Sequence, residues 1–194
     1  MILSDREIRA AIKQGRIVID PQPAEEQYDT SALDLRLGEE LLELKSQEEL
    51  QQAEPAGVER TLIIDLSKVR MTGLLQTYAK SFVREPDGSF VLPSGKFALG
   101  ITHEWIELPR GSKIAARVEG RSTFARLGLA VHITAPTIHA GFEGRIVLEM
   151  YNFGPYALRL RPKGLAVCQL IFERLGKIPK GQVKTSYKGQ KSIR

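Results

Sequence analysis

The sequence predicts an all-β fold, a barrel or jelly-roll-like sandwich carrying short helices, and two observations predict it. From Lys113 onward short apolar runs keep returning: Ile114 to Val118, Ala130 to Ile133, Arg145 to Tyr151, Ala157 to Leu160 and Leu165 to Phe172. Gly or Pro punctuates nearly every junction between them, the pattern of many short strands rather than of βαβ units. A chain of 194 residues with 42% hydrophobic content is long enough for one domain with a real core. One domain is expected over residues 1–175, followed by a basic segment over 176–194.

In chain order, Ser4-Asp5-Arg6-Glu7 has the form of a capping box opening a short helix, with Ile8, Ala11 and Ile12 on one face and Gly15 closing it. Arg16 to Asp20 alternates like a strand that Pro21 and Pro23 break, and Ser31 to Gly38 alternates again. There Asp34 and Arg36 share the face opposite Leu33, Leu35 and Leu37, which suits a solvated or salt-bridged strand face. Lys45 to Glu59 is rich in Gln and Glu, poor in apolar residues and interrupted by Pro55 and Gly57, so a surface loop or insertion is expected.

Leu62 to Ile64, Ser81 to Arg84 and Phe90 to Leu92 are short strand candidates, with a hairpin signal at Asp87-Gly88. Lys68 to Lys80 fits helix and strand equally. Lys96 to Leu108 predicts a long strand interrupted near His103 and Glu104, with Trp105 in the core and His103 a surface or hydrogen-bonded residue. Ser122 to Leu127 is the exception among the later strands. It suits a short helix whose N-terminal backbone amides can meet an anion.

The net charge of +5 is concentrated at one end. Lys177, Lys180, Lys184, Lys188, Lys191 and Arg194 follow Leu175 with no acidic residue among them, so the rest of the chain nets about −1. Such a tail can bind a polyanion, from a small triphosphate to DNA, or stand as a solvated end. The single cysteine, Cys168, excludes an intrachain disulfide framework or a multi-cysteine metal site. Neither a signal-peptide pattern nor a long apolar span is present in the sequence, so a soluble cytoplasmic protein with no membrane partner is expected.

Polar chemistry is densest between Gly120 and Asn152. Gly120-Arg121-Ser122-Thr123-Phe124-Ala125-Arg126-Leu127-Gly128-Leu129 is followed by Val131-His132-Ile133-Thr134-Ala135, by Ala140-Gly141-Phe142-Glu143-Gly144 and by Ile146-Val147-Leu148-Glu149. Core building alone does not need this density of arginines, hydroxyls and a carboxylate, which marks the stretch as a candidate active site.

These segments resemble the dCTP deaminase branch of the dUTPase superfamily. The opening Leu3 to Ile8, the Leu33 to Gly38 segment and Tyr187-Lys188-Gly189-Gln190 extend the resemblance over nearly the whole chain. It implies a distorted β-barrel, a homotrimer with active sites between subunits, and hydrolytic deamination of dCTP to dUTP and ammonia within pyrimidine deoxynucleotide synthesis. It also implies dTTP as feedback inhibitor and no nucleic-acid partner.

By the same resemblance Glu149 is the proton shuttle, Arg126 orients that carboxylate, and Ser122 is the active-site serine. The physical demand agrees, because water must attack C4 while ring N3 and then the leaving amine receive a proton, and one carboxylate can serve both ends. Leu148 and Met150 flank Glu149 and point the other way on an alternating strand, although a solvent-facing glutamate would show the same pattern. Arg121 and Thr123 suit phosphate contacts, with a structural salt bridge as the alternative for Arg121. The resemblance further assigns the Ala135 carbonyl to the attacking water and Phe142 to the deoxyribose.

Zinc-dependent nucleobase deaminases require a Pro-Cys-x-x-Cys segment that this chain lacks, so the implied reaction is zinc-free. Mg²⁺ is expected only through the substrate triphosphate.

Two departures stand out. His139 occupies the position where relatives that also hydrolyse dUTP carry an Asp contacting the sugar, and Pro136-Thr137 replaces basic or glycine residues. A histidine can still hydrogen-bond a sugar but brings no negative charge, which argues against dUTP hydrolysis and leaves the preferred nucleotide open. In the tail, Ser186-Tyr187 replaces the family's Lys-Tyr, so Lys184 or Lys188 is expected on the phosphates. Tyr187 and Gln190 are then the ordered contacts of a lid over residues 176–194 that closes when substrate binds. The alternatives are a bifunctional deaminase and diphosphatase forming dUMP, and a non-catalytic nucleotide-sensing paralogue.

Overall fold

The computed structural model describes residues 1–51, 63–68, 71–181 and 189–193. In chain order the helices are α1 (Asp5–Lys13), α2 (Gln47–Gln51), α3 (Met71–Tyr78) and α4 (Ser122–Ala125). The strands are β1 (Val18–Asp20), β2 (Tyr28–Asp29), β3 (Ala32–Leu44), β4 (Ala79–Ser81), β5 (Phe90–Leu92), β6 (Phe97–Glu107), β7 (Ile114–Gly120), β8 (Leu129–Ala130), β9 (Thr137–Ile138), β10 (Glu143–Asn152), β11 (Leu158–Leu160) and β12 (Ala166–Arg174). All strand pairs are antiparallel, and ten strands form one curled sheet of order β8-β10-β6-β3-β12-β7-β9, with β1 on β6 and both β2 and β4 on β3. β5 and β11 make a separate pair. The predicted mainly-β, distorted-barrel class is the observed one.

Alternation builds the core. Along β10 every second residue is buried, so Leu148 and Met150 enter the barrel while Arg145, Val147 and Glu149 face outward. Leu33, Leu35 and Leu37 of β3 and Val167, Leu170 and Phe172 of β12 meet the same core. α1 closes one side. Ser4 and Glu7 form the expected capping box, Ile8 and Ala11 are buried with Leu3 and Ile17, and Ile12 packs against the cluster. Each such aliphatic side chain contributes about 1.5–3 kcal/mol by leaving water.

The expected interruption in the long strand is a bulge. Arg145 pairs with Trp105 and Val147 with Ile101, so a two-residue step on β10 faces a four-residue step on β6. Thr102 fills the gap, its Oγ1 donating to the Glu104 carbonyl at 2.8 Å and accepting from the Ile146 amide at 2.9 Å.

The bulge also inverts one expectation. Trp105 is half-buried rather than in the core, and Glu104 is wholly buried. Its carboxylate accepts from Arg36 Nε at 2.7 Å, from the Arg36 amide at 2.8 Å and from Gln27 Nε2 at 3.2 Å, which makes burial of the charge tolerable. Asp34 is paired as well, with Arg121 at 3.2 Å. The polar face of β3 is therefore salt-bridged.

Other differences are local. β8 stops at Ala130, so the run to Ile133 continues as a loop, and neither Ile63 nor Ile64 lies in a strand. Leu62 lies outside the described residues. The start of the presumed surface loop folds as α2, held by a reciprocal Ser46–Glu49 cap. The segment that suited helix and strand equally is both in turn, α3 followed directly by β4. β4 ends at Ser81, and Arg84 returns to bridge Phe90 across the Asp87-Gly88 turn, where Gly88 adopts φ +77°. No helix among the described residues is long and apolar enough to cross a membrane.

Candidate active site

Glu149 opens into a cavity of about 530 Å³ on the outer face of β10. Its flanks, Leu148 and Met150, are fixed in the core, so the carboxylate cannot turn inward without pulling the strand out of register. Oε2 accepts a hydrogen bond from the Ile133 amide at 3.3 Å. That bond ties the loop after β8 to the strand bearing the carboxylate. Buried Val131 anchors the loop's start, and at its end the Pro136 carbonyl accepts from the Val118 amide at 2.8 Å.

Ala135, Thr137, His139, Phe142 and Gln190 line the same cavity as Glu149. The chain thus brings six of the sequence-predicted site residues to one place, from the loop after β8, from β9 and its following turn, from β10 and from near the C-terminus. His139 presents an imidazole where a carboxylate was the usual expectation, and among the described residues Glu149 is the one acidic side chain lining the cavity. The lining is otherwise largely aliphatic, with Leu44 and Leu75 and, on the paired strand β6, Phe97 and Leu99, the last directly opposite Glu149. A carboxylate on an apolar wall is chemically suited to exchanging a proton with a bound reactant rather than with bulk water.

Ser122, Thr123 and Arg126 are elsewhere. All three are exposed on or beside α4 and outside the cavity wall of their own chain. The Arg121 carbonyl accepts from the Phe124 and Ala125 amides, which shortens the set of free donors expected at the helix start. Arg121 itself pairs with Asp34 and donates to the Ala166 carbonyl at 3.2 Å, a structural salt bridge. Burial pushes the Asp34 carboxyl above its ordinary value, and the Arg121 guanidinium pulls against that shift.

α4 is held rigidly beside the end of β10. Gly128, at φ +92°, lies so close to Gly154 that a Cβ on it would come within 2.2 Å of the Gly154 amide nitrogen. The Phe153 amide donates to the Gly128 carbonyl at 2.8 Å, and the buried Asn152 side chain bonds the Leu92 and Tyr156 carbonyls and the Gly154 amide.

Lys184, Tyr187 and Lys188 lie outside the described residues. Gln190 is described, and it is docked. Its carbonyl accepts from the Arg145 amide at 2.9 Å, and the Gly189 amide donates to the Glu143 carbonyl at 2.7 Å. Beyond it Ile193 is 2% exposed among Leu42, Leu75, Ala79 and Ile101. Glu40 Oε2 accepts from Ser192 Oγ at 2.7 Å and from the Ile193 amide at 3.1 Å.

Arg145 and His132 also line the cavity. Arg145 shares the outward face of β10 with Glu149, which strand periodicity alone could have signalled. His132 lies between the cavity and Glu119, with Nε2 3.8 Å from a Glu119 oxygen and Nδ1 buried without a partner among the described residues. The sequence carries no signal for that.

A family model described as dCTP deaminase-like matches residues 2–175. The "dCTP deaminase, dUMP-forming" of Methanosphaera stadtmanae is 38% identical over 174 residues, covering 90% of this chain and 79% of that protein. The protein of the same description from Methanobrevibacter smithii is 36% identical, covering 100% of this chain and 92% of its own. The "dCTP deaminase" of Rhodospirillum rubrum is 39% identical, covering 90% and 83%. Among solved structures, the 2′-deoxycytidine 5′-triphosphate deaminase of Agrobacterium tumefaciens superposes with a TM-score of 0.61 at 21% identity. It covers 90% of this chain and 48% of that one, a likeness of fold.

Proposed function

The chain belongs to the dCTP deaminase-like family, and from that premise we propose that it is the enzyme that hydrolyses dCTP to dUTP and ammonia, with Glu149 as proton shuttle. The observation that carries this reading is the fixed outward aim of Glu149 into a cavity of otherwise apolar character. Water, oriented by the Ala135 carbonyl, adds to C4 as Glu149 removes its proton. The carboxylic acid so formed protonates N3. Collapse of the tetrahedral adduct then expels the amine, which leaves as ammonia after taking the second proton of the added water, and Glu149 returns to its ionised state. Phe142 packs on the deoxyribose and His139 hydrogen-bonds it.

Arg126 and Ser122 complete the site from a neighbouring subunit of a homotrimer. Their distance from their own cavity supports this, and so does the apolar surface around α4, where Leu127 is 48%, Ile133 50% and Phe153 71% exposed. Arg121, Thr123, Lys184, Lys188 and Tyr187 are assigned to the substrate on the family pattern.

Mg²⁺ travels with the nucleotide, held by phosphate oxygens and water. The described residues offer no cluster of three His, Cys, Asp or Glu to hold it. Inhibition by dTTP and a cytoplasmic location belong to the same reading, since the substrate pool is there.

The dUMP-forming relatives support a second reading, a bifunctional enzyme that also removes pyrophosphate. His139 favours the first, because it supplies no anionic base beside the phosphate chain. Assaying dCTP and dUTP for ammonia and pyrophosphate together decides between them. Ammonia alone is expected. Pyrophosphate from either nucleotide would select the bifunctional reading, and tight binding without any product would leave a nucleotide sensor.

A further inference from the structure

Thr102, His103 and Glu104 of β6 together face the single residue Ile146 of β10. Continued without that bulge, the ladder that pairs Glu143 with Glu107 and Arg145 with Trp105 would set Glu149 opposite Ile101. Ile101 is wholly buried in a cluster with Leu42, Leu75 and Ile193, so the carboxylate would meet closed apolar packing, where an unpaired charge is strongly disfavoured. The bulge instead moves the later half of β10 two positions along β6, about 7 Å at roughly 3.3 Å per residue. A step of two leaves every side chain on its own face. Val147 thereby lies opposite Ile101 and packs against that cluster, while Glu149 lies opposite Leu99 on the cavity wall.

One hydroxyl sits at the centre of the bulge. Thr102 is wholly buried, and its Oγ1 accepts from the Ile146 amide at 2.9 Å and donates to the Glu104 carbonyl at 2.8 Å. It stands where a regular ladder would offer Ile146 a backbone carbonyl. The neighbouring strands close around this point. A Cβ on Gly38 of β3 would come within 2.8 Å of the Ile101 carbonyl oxygen and 3.0 Å of the Thr102 carbonyl oxygen, and one on Gly100 within 2.9 Å of Met150 Sδ. These contacts fix the flanking strands, and the Thr102 hydroxyl supplies the acceptor at the bulge itself.

We infer that Thr102 is a positioning residue, which by satisfying the Ile146 amide holds β10 in the register that delivers Glu149 to the cavity rather than to the Ile101 cluster. Its bearing on turnover rests on the deaminase reading. Its hold on Glu149 does not.

The test compares Thr102→Val, which removes the hydroxyl at similar volume, with Thr102→Ser, which keeps it, in the full chain. In Thr102→Val, kcat for ammonia release from dCTP falls about ten- to a hundredfold, the loss expected when a reacting group is misplaced by about 1 Å, and KM stays within about threefold. Thr102→Ser retains kcat within about threefold. The Ile133 amide, which donates to Glu149 Oε2, reports the place of the carboxylate without turnover. Its NMR resonance moves in Thr102→Val and stays in Thr102→Ser, with the core amides of β12 unmoved in both. Ile17→Val, a truncation in the core beside α1, controls for lost stability and leaves kcat and the Ile133 resonance as in wild type. In wild type itself the Ile146 amide exchanges its hydrogen as slowly as the core amides of β12, a measurement that stands even where a variant does not fold. Fast exchange there, wild-type kcat or an unmoved Ile133 resonance in Thr102→Val, equal losses in the valine and serine variants, or the same loss in Ile17→Val would each overturn the assignment. A moved Ile133 resonance in Thr102→Val, in a chain whose wild type releases no ammonia from dCTP, would sink the deaminase reading and leave the role of Thr102 standing.

Discussion

The amide of Ile133 donates to Oε2 of Glu149 at 3.3 Å, joining the loop that carries Ala135 to the strand that carries the proposed proton shuttle. The bond couples the position of the loop to that of the carboxylate.

Glu149→Gln keeps the size and the hydrogen-bonding capacity of the side chain but removes its basicity. Ammonia release from dCTP is expected to fall by about a thousandfold, in the range of general acid–base losses, while dCTP affinity by calorimetry stays within a few-fold. Turnover at the wild-type rate would end the proposed mechanism.

A site shared between subunits predicts complementation. Glu149→Gln and Arg126→Ala are each expected to be inactive alone. Co-refolded as mixed trimers they should regain about one quarter of wild-type activity, because a quarter of randomly assembled interfaces unite an intact Glu149 with an intact Arg126. Absence of any recovery, with mixed oligomers shown by mass spectrometry, would place both residues in one subunit's site.

Removing Arg36 leaves the Glu104 carboxylate buried with its principal partner gone. Arg36→Ala is expected to destabilise the fold by about 3–5 kcal/mol in urea unfolding, and the apolar pair Arg36→Met with Glu104→Leu by clearly less. Equal losses in both would show that the charges themselves, rather than their burial unpaired, set the stability.

Burial holds the His103 imidazole below its ordinary value, with the Arg36, Lys163 and Arg145 charges adding to that shift and Glu104 opposing it. A depressed folded value means that the unfolded chain binds the proton first. The stabilising contribution is thus present above about pH 6.5, the ordinary histidine value, and is lost as pH falls toward the folded value. The urea midpoint of wild type should drop between pH 7.5 and 5.5 by more than that of His103→Gln. Equal drops would remove His103 as the cause.

Ile193→Ser puts a hydroxyl into an apolar cluster, and Glu40→Ala removes the acceptor of the Ser192 hydroxyl and the Ile193 amide. Either change should free residues 189–193, raising hydrogen exchange at the Gly189 and Arg145 amides by about tenfold or more, without the same rise at core amides of β12. Unchanged exchange at those two amides would show that the strap is held by other contacts.

Much of the fold was legible because its signals are local. The Ser4–Glu7 capping box, the alternation of Leu33, Leu35 and Leu37, and the isolation of Glu149 from Leu148 and Met150 each lie within a few residues of sequence. What escaped was non-local or ambiguous. Glu104 took the buried position expected of Trp105 because the bulge opposite Arg145 rotates the strand, and a bulge is defined by its partner strand. α2 was missed because its residues are polar, and only the Ser46–Glu49 cap distinguishes them from a loop.

By itself, the sequence determined the β class, the family and the residues from which a deaminase site could be drawn. The tertiary structure decided which of them meet. Glu149, Ala135, Thr137, His139, Phe142 and Gln190 converge on one cavity with Arg145, whereas Ser122 and Arg126 face outward on α4. The physical reason is range. Period and capping act between neighbours along the chain, but a shared cavity depends on strand register, a bulge and a returning terminus, which bring together residues far apart in sequence.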